Sequence, residues 1–141
     1  MYLTYDEYSD MGGTLSDLDF KYMAYEAESY IDWYTFDRLK KMSEVPQEVK
    51  DCEFYLIHLI ELKLNALGIA TFDSSSGNSG VNTQIASQSN DGVSVSYNSL
   101  AARDAIKSIS DEIGDAIKKQ LRTVVDELGR KVLYRGLYPN E

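Results

Sequence analysis

Apolar residues recur every three or four positions over three stretches of this chain and alternate with polar ones over a fourth. The first 42 residues predict two helices. Thr4 and Glu7 have capping-box spacing, and Gly12-Gly13 closes a short first helix. Ser16 is a favourable N-cap for the second, with Asp17 and Asp19 near its positive end. Its inner face reads Phe20, Met23, Ala27, Tyr30 or Ile31, and Tyr34. A third helix is expected from Pro46, as first helical residue, to a stop at Gly68. Val49, Cys52, Leu56, Leu59, Ile60 and Leu67 form its main stripe. Phe54, Tyr55 and Leu62 add apolar groups elsewhere, so this helix is expected at the centre of the core.

The character then changes. Ser74–Gly80 contains only Ser, Gly and Asn, too little apolar surface to offset its ordering entropy, and predicts a flexible loop. Val93, Val95 and Tyr97 alternate with Ser94 and Ser96. A three-residue turn at Asn90-Asp91-Gly92 would set Ile85 opposite Tyr97 on one face of a hairpin over roughly Val81–Tyr97. A lone hairpin is marginal, so a neighbouring chain is its expected cover. Ser99 would cap a last helix whose face runs through Ile106, Ile109, Ile113, Ile117, Leu121, Val124 and Leu128 to a stop at Gly129, a length of ~40 Å. The remaining tail holds Val132, Leu133, Tyr134, Leu137 and Tyr138, which is too apolar for a free terminus. The expected fold is mainly α, a small bundle of about four helices with one projecting β-hairpin and an extended C-terminal tail. It divides into a helical core over 1–70, loop and hairpin over 71–98, a long helix over 99–129 and a docking tail over 130–141.

With 141 residues the chain has room for one core. Its charge narrows the possible partners: 23 acidic against 14 basic residues give a net −9. That opposes general nucleic-acid binding and docking on anionic lipid. The acids cluster in the first 45 residues, ten against four bases, whereas Lys118, Lys119, Arg122, Arg130, Lys131 and Arg135 make the far end basic. Ends of opposite sign can attract between copies of one chain. No apolar run is long enough to span a bilayer, and the start lacks the basic and apolar parts of a secretory leader. Cys52 is the only cysteine, so no intrachain disulfide forms, which suits synthesis in a reducing compartment.

Candidate chemistry is sparse. His58, the only histidine, lies within an otherwise apolar run and reads as a buried or half-buried structural imidazole. Cys52 reads as a small core hydrophobe. The front acids follow solvent faces and helix starts without a calcium-loop pattern, and Gly77–Gly80 lacks the lysine of a phosphate loop. No catalytic, cofactor or metal residue is assigned, and no enzymatic activity is expected. A hairpin without a sheet, an overlong helix and an apolar tail point instead to an assembly part.

Five segments taken in order carry a resemblance. They are Leu3–Tyr8 with Met11-Gly12-Gly13, Ile31–Leu39, Val45–Lys50, the hairpin Ile85–Tyr97, and Leu133-Tyr134-Arg135-Gly136. Together they resemble the head–tail connector (adaptor, or head-completion) proteins of tailed bacteriophages over nearly the whole chain. The resemblance implies a structural virion protein at the head–tail junction, made in the host bacterial cytoplasm. It implies a ring, expected to be twelvefold, below the portal protein. This ring would extend the DNA channel for packaging retention and ejection, with a stopper or tail-completion protein on its other face. DNA would pass without specific binding, and no membrane is involved. Portal or neighbour contacts are expected at Leu133, Tyr134, Arg135, Leu137 and Tyr138, and inter-subunit hairpin contacts at Ile85, Val93, Val95 and Tyr97. Two other classes compete: an acidic DNA-mimic inhibitor of a nucleic-acid enzyme, and a metal-assisted hydrolase using the front acids with His58.

Overall fold

The computed structural model describes residues 1–67 and 97–138 and is mainly helical. Four α-helices follow in order: α1 (Tyr5–Asp10), α2 (Asp17–Thr35), α3 (Gln47–Ala66) and α4 (Tyr97–Gln120), with a single 3-10 turn at Leu39–Lys41 between α2 and α3. The expected hairpin residues Ile85, Val93 and Val95 lie outside the described residues, as do the Ser/Gly loop and Gly68. No described helix is long and apolar enough to cross a membrane.

The starts and stops follow local chemistry. The Thr4 and Glu7 side chains satisfy each other's backbone amides in a full capping box. The Ser16 hydroxyl accepts from the Asp19 amide at 3.2 Å. Pro46 sits one position earlier than expected, as the N-cap of α3. Gly12 adopts φ +93°, a left-handed turn that L side chains resist. Gly13 is required for space: an added Cβ would stand 2.1 Å from the Tyr8 ring. That ring is buried against Phe20 and Phe54, with centroids 4.8 and 5.5 Å away. Gly13→Ala should therefore displace Tyr8 and cost about 2 kcal/mol, read as a lower denaturant midpoint with an unchanged m-value.

As its many-sided apolar surface anticipates, α3 lies between α2 and α4 and packs on both. Val49, Cys52, Leu56, Ile57 and Ile60 are buried along it. They meet Phe20, Met23, Ala24, Ala27 and Ile31 from α2, and Ile113, Ala116 and Ile117 from α4, in a single cluster. Burial on this scale supplies the main stabilising term.

Three expectations need correction. Helix α4 starts at Tyr97, two residues before Ser99, so the backbone of Tyr97 belongs to a helix rather than a strand. It ends at Gln120, nine residues before Gly129, giving 24 residues and about 36 Å. The missing turns are a tight reversal. Its amides fold onto Asp126, whose carboxylate accepts from the Leu128 and Arg130 amides (2.9 and 2.8 Å) and from Arg130 Nε (2.7 Å). Gly129 occupies the left-handed region at φ +75°, and Val125 bridges antiparallel to Lys131. β-Branched Thr123, Val124 and Val125 favour an extended chain there. Leu128 is consequently 75% exposed instead of extending the inner face, while Val132 returns into the core. The third correction is His58, whose side chain is 60% exposed on α3, with Nδ1 3.6 Å from Glu61 Oε2.

Candidate interaction site

The reversal after α4 brings the C-terminal segment back across the body, where Arg38 holds it. Two left-handed residues, Phe36 (φ 56°) and Asp37 (φ 57°), end α2 without a glycine and turn the chain so that Arg38 points inward. Its guanidinium is buried. Nη1 donates to the carbonyls of Val132 (3.1 Å) and Tyr134, and Nη2 donates to that of Gly136 (2.8 Å). The same guanidinium lies 5.2 Å from the Phe36 ring centroid and 5.0 Å from that of Tyr138. Arg130 packs on the Tyr138 ring at 5.1 Å, and the Tyr138 hydroxyl donates to the Lys131 carbonyl at 3.1 Å.

The tail residues singled out by sequence therefore divide. Leu133 is half-buried against the core, and Tyr138 is half-buried under Arg38 and Arg130. Tyr134 turns its carbonyl inward while half its side chain faces solvent, and Leu137 is 87% exposed. Exposed Arg135 lines a groove of about 490 Å³ with Asp32, Trp33, Tyr34, Phe36 and Asp37. The tail is thus a belt fastened to its own body, not an arm wholly dependent on another chain for cover. Removing residues 131–141 would expose the core at Val132 and strip Arg38 of three acceptors.

Two functional-looking groups are absent from the expectations drawn from sequence. One is Arg38, whose partners lie 94 to 98 residues further along the chain. The other is Glu53, which is fully buried on α3. Its Oε2 accepts from the Leu3 amide at 2.6 Å, while Oε1 has no hydrogen-bond partner. Burial pushes this carboxyl up to about 8. The signal was available, because residue 53 falls i+4 from Val49 and i−4 from Ile57 on an inner face. Nearby, Tyr2 donates its hydroxyl to Asp32, and the Met1 amino nitrogen stands 2.5 Å from Glu28 Oε1. Asp32 also pairs with Lys40 at 2.9 Å. The extended start is thereby tied to both α2 and α3. Burial, then the Asp32 bond, raise the Tyr2 phenol far above its ordinary range.

Little here suits covalent or metal chemistry. Cys52 is buried, and burial followed by the Glu53 charge pushes its thiol up to about 12. Among the described residues, no three His, Cys, Asp or Glu side chains converge as ligands for a metal. The Lys50 ammonium and the Thr4 bonds hold Glu7 down at about 2, in a contact that ties α1 to α3. What the surface offers instead is apolar: Leu18, Tyr22, Tyr25, Trp33 and Phe36 along α2, Val125 and Leu128 at the reversal, and Tyr134 and Leu137 on the tail are all exposed. Comparison with family models, curated proteins and solved structures gives no match to this chain, and the functional reading rests on its own residues and their geometry.

Proposed function

We propose that this protein is a structural connector of a tailed-phage virion, assembling as a ring below the portal and lengthening the DNA channel between head and tail. The observation that carries the reading is Leu137, 87% exposed between two residues that Arg38 holds, Gly136 by its carbonyl and Tyr138 by its ring. A large aliphatic side chain held outward on a fixed backbone is suited to entering a pocket on a partner. The ordered segments resembling phage connectors supply the partner's identity, the portal protein. An acidic front lets a duplex slide past, since each neutralised phosphate would add affinity and drag.

The DNA-mimic alternative has less support. A mimic needs lines of carboxylates open to solvent. Here Asp32, Glu53, Glu28, Glu26 and Glu7 are instead engaged within the chain by Tyr2 and Lys40, Leu3, Met1, Lys63 and Lys50.

The test is electron microscopy of the purified protein mixed with portal complexes, together with a Leu137→Asp variant. Ring density beneath the portal is expected for the natural chain. The variant should fold with unchanged thermal stability and bind the portal at least tenfold more weakly. Absence of added density, or full binding by the variant, would refute the assignment.

A further inference from the structure

Met1, Tyr2 and Leu3 belong to no helix or strand and lie across the body as an extended strap. Each is tied down by one contact: the Met1 amino nitrogen to Glu28, the Tyr2 hydroxyl to Asp32, and the Leu3 amide to Glu53. The Tyr2 and Leu3 side chains are buried in the core cluster. Beyond them, the Thr4 capping box and the Glu7–Lys50 pair secure α1 without the strap. Glu53 is fully buried, with Oε2 on the Leu3 amide and no partner for Oε1 among the described residues. A protonated carboxyl suits that place, whereas an ionised one buries a charge on an oxygen that no donor meets. The groups around it do not compensate. From α2, Glu28 repels the charge, and Asp32 adds a further carboxylate beside Tyr2. On α3 itself, the neighbouring Cys52 thiol is held protonated. The cations are engaged elsewhere: the Met1 ammonium faces Glu53 but pairs with Glu28, Lys40 pairs with Asp32, and Lys50 with Glu7.

We infer that Glu53 is a proton latch for this strap: while protonated it holds Met1–Leu3 closed on α2 and α3, and on losing its proton it releases them with the helices still folded. Release carries the carboxylate into water without breaking a single helical hydrogen bond, so it is the least costly way to solvate the charge. The carboxyl keeps its proton up to about 8 under the strap and up to 4.5 when freely solvated. Between those values the closed form binds the extra proton, and rising pH favours the open one. The open population should grow by up to about tenfold per pH unit across that interval. Opening bares Tyr2, Leu3 and the core groups they cover, so the apolar surface offered to a partner depends on one proton. The latch stands apart from the connector reading, since it needs neither a ring nor a portal.

Amide exchange, followed by NMR on the full chain and on Glu53→Gln with and without low urea, tests the latch. At about pH 8 the Leu3 amide of the natural chain should be protected at least a hundredfold less than that of Glu53→Gln, and at about pH 5 the two should nearly agree. Low urea should barely change exchange at Leu3, because opening uncovers only two side chains. Exchange at the Ile57 amide in α3 should instead follow the surface exposed by global unfolding. Equal protection of Leu3 in the two proteins at the higher pH would overturn the inference, since the Glu53 proton would then hold nothing closed. So would a urea dependence at Leu3 matching that at Ile57, which would mean that the strap leaves only when the whole chain unfolds. The urea comparison needs the natural chain alone, so the test survives even if the variant folds poorly.

Discussion

Replacing Arg38 with alanine is expected to lower stability by about 3–5 kcal/mol and to loosen the chain from Lys131 onward. The guanidinium satisfies three carbonyls on alternate residues, Val132, Tyr134 and Gly136, and its face packs on Tyr138. Hydrogen bonds to a charged group contribute more than neutral ones, and buried acceptors left unpaired add a desolvation cost. Lysine offers one ammonium in place of a planar fork, so Arg38→Lys should recover less than half of the loss. Denaturant unfolding gives the magnitude. Amide exchange gives the location, because Val132 donates to the Val124 carbonyl and Tyr134 to that of Lys131 in the intact belt. Exchange at these two amides should accelerate far more than exchange in α3. Uniform acceleration across the molecule would mean that Arg38 supports the whole fold and not the belt in particular.

Stability should fall as pH rises from about 5 to 8, by on the order of 3 kcal/mol, and Glu53→Gln should remove most of that slope. The carboxyl titrates near 4.5 when unfolded and at about 8 when folded, so between these values the native state holds more protons than the unfolded one. Under that condition stability declines with increasing pH, opposite to the usual behaviour of a salt-bridged carboxylate. The cause is burial: an ionised Glu53 would sit with one oxygen bonded to the Leu3 amide and the other without a partner. Glutamine keeps the shape and an acceptor for Leu3 while staying neutral. The variant should therefore melt higher than the natural chain at pH 8 and close to it at pH 5. Parallel slopes for the two proteins would show that Glu53 is ionised in the fold at neutral pH.

Much of the helical framework was legible in the sequence because its signals are local. Thr4 with Glu7, Ser16 and Pro46 mark helix starts through bonds or dihedral constraints spanning a few residues. The central place of α3 followed from apolar groups on more than one face. The interaction site was only half legible. Spacing singled out the tail but not its fastening, since Arg38 and Val132 lie 94 residues apart and nothing in either segment announces the other. The end of α4 was misread because Ile113, Ile117, Leu121 and Val124 keep one helical period although the last two lie beyond the helix. Periodicity registers burial, and burial continued after the helix had stopped. Thr123-Val124-Val125 followed by Asp126 and Gly129 held the better signal, two β-branched flanks around a turn. His58 was misplaced for the converse reason, because apolar neighbours in sequence occupy other faces of the same helix.

By itself, then, the sequence determined a mainly helical chain with capped starts, a charge gradient from acidic front to basic end, and more apolar surface than one small core absorbs. Those properties depend on residue type and on spacings shorter than two helical turns. Only the tertiary structure decided which apolar groups stay outside, namely one face of α2, the reversal at Leu128 and the tip at Leu137, while Val132 and Leu133 turn inward. It also decided that an arginine and a glutamate would be buried. Such choices depend on which distant backbone carbonyl or amide reaches the buried group, and that proximity exists only after the helices have packed.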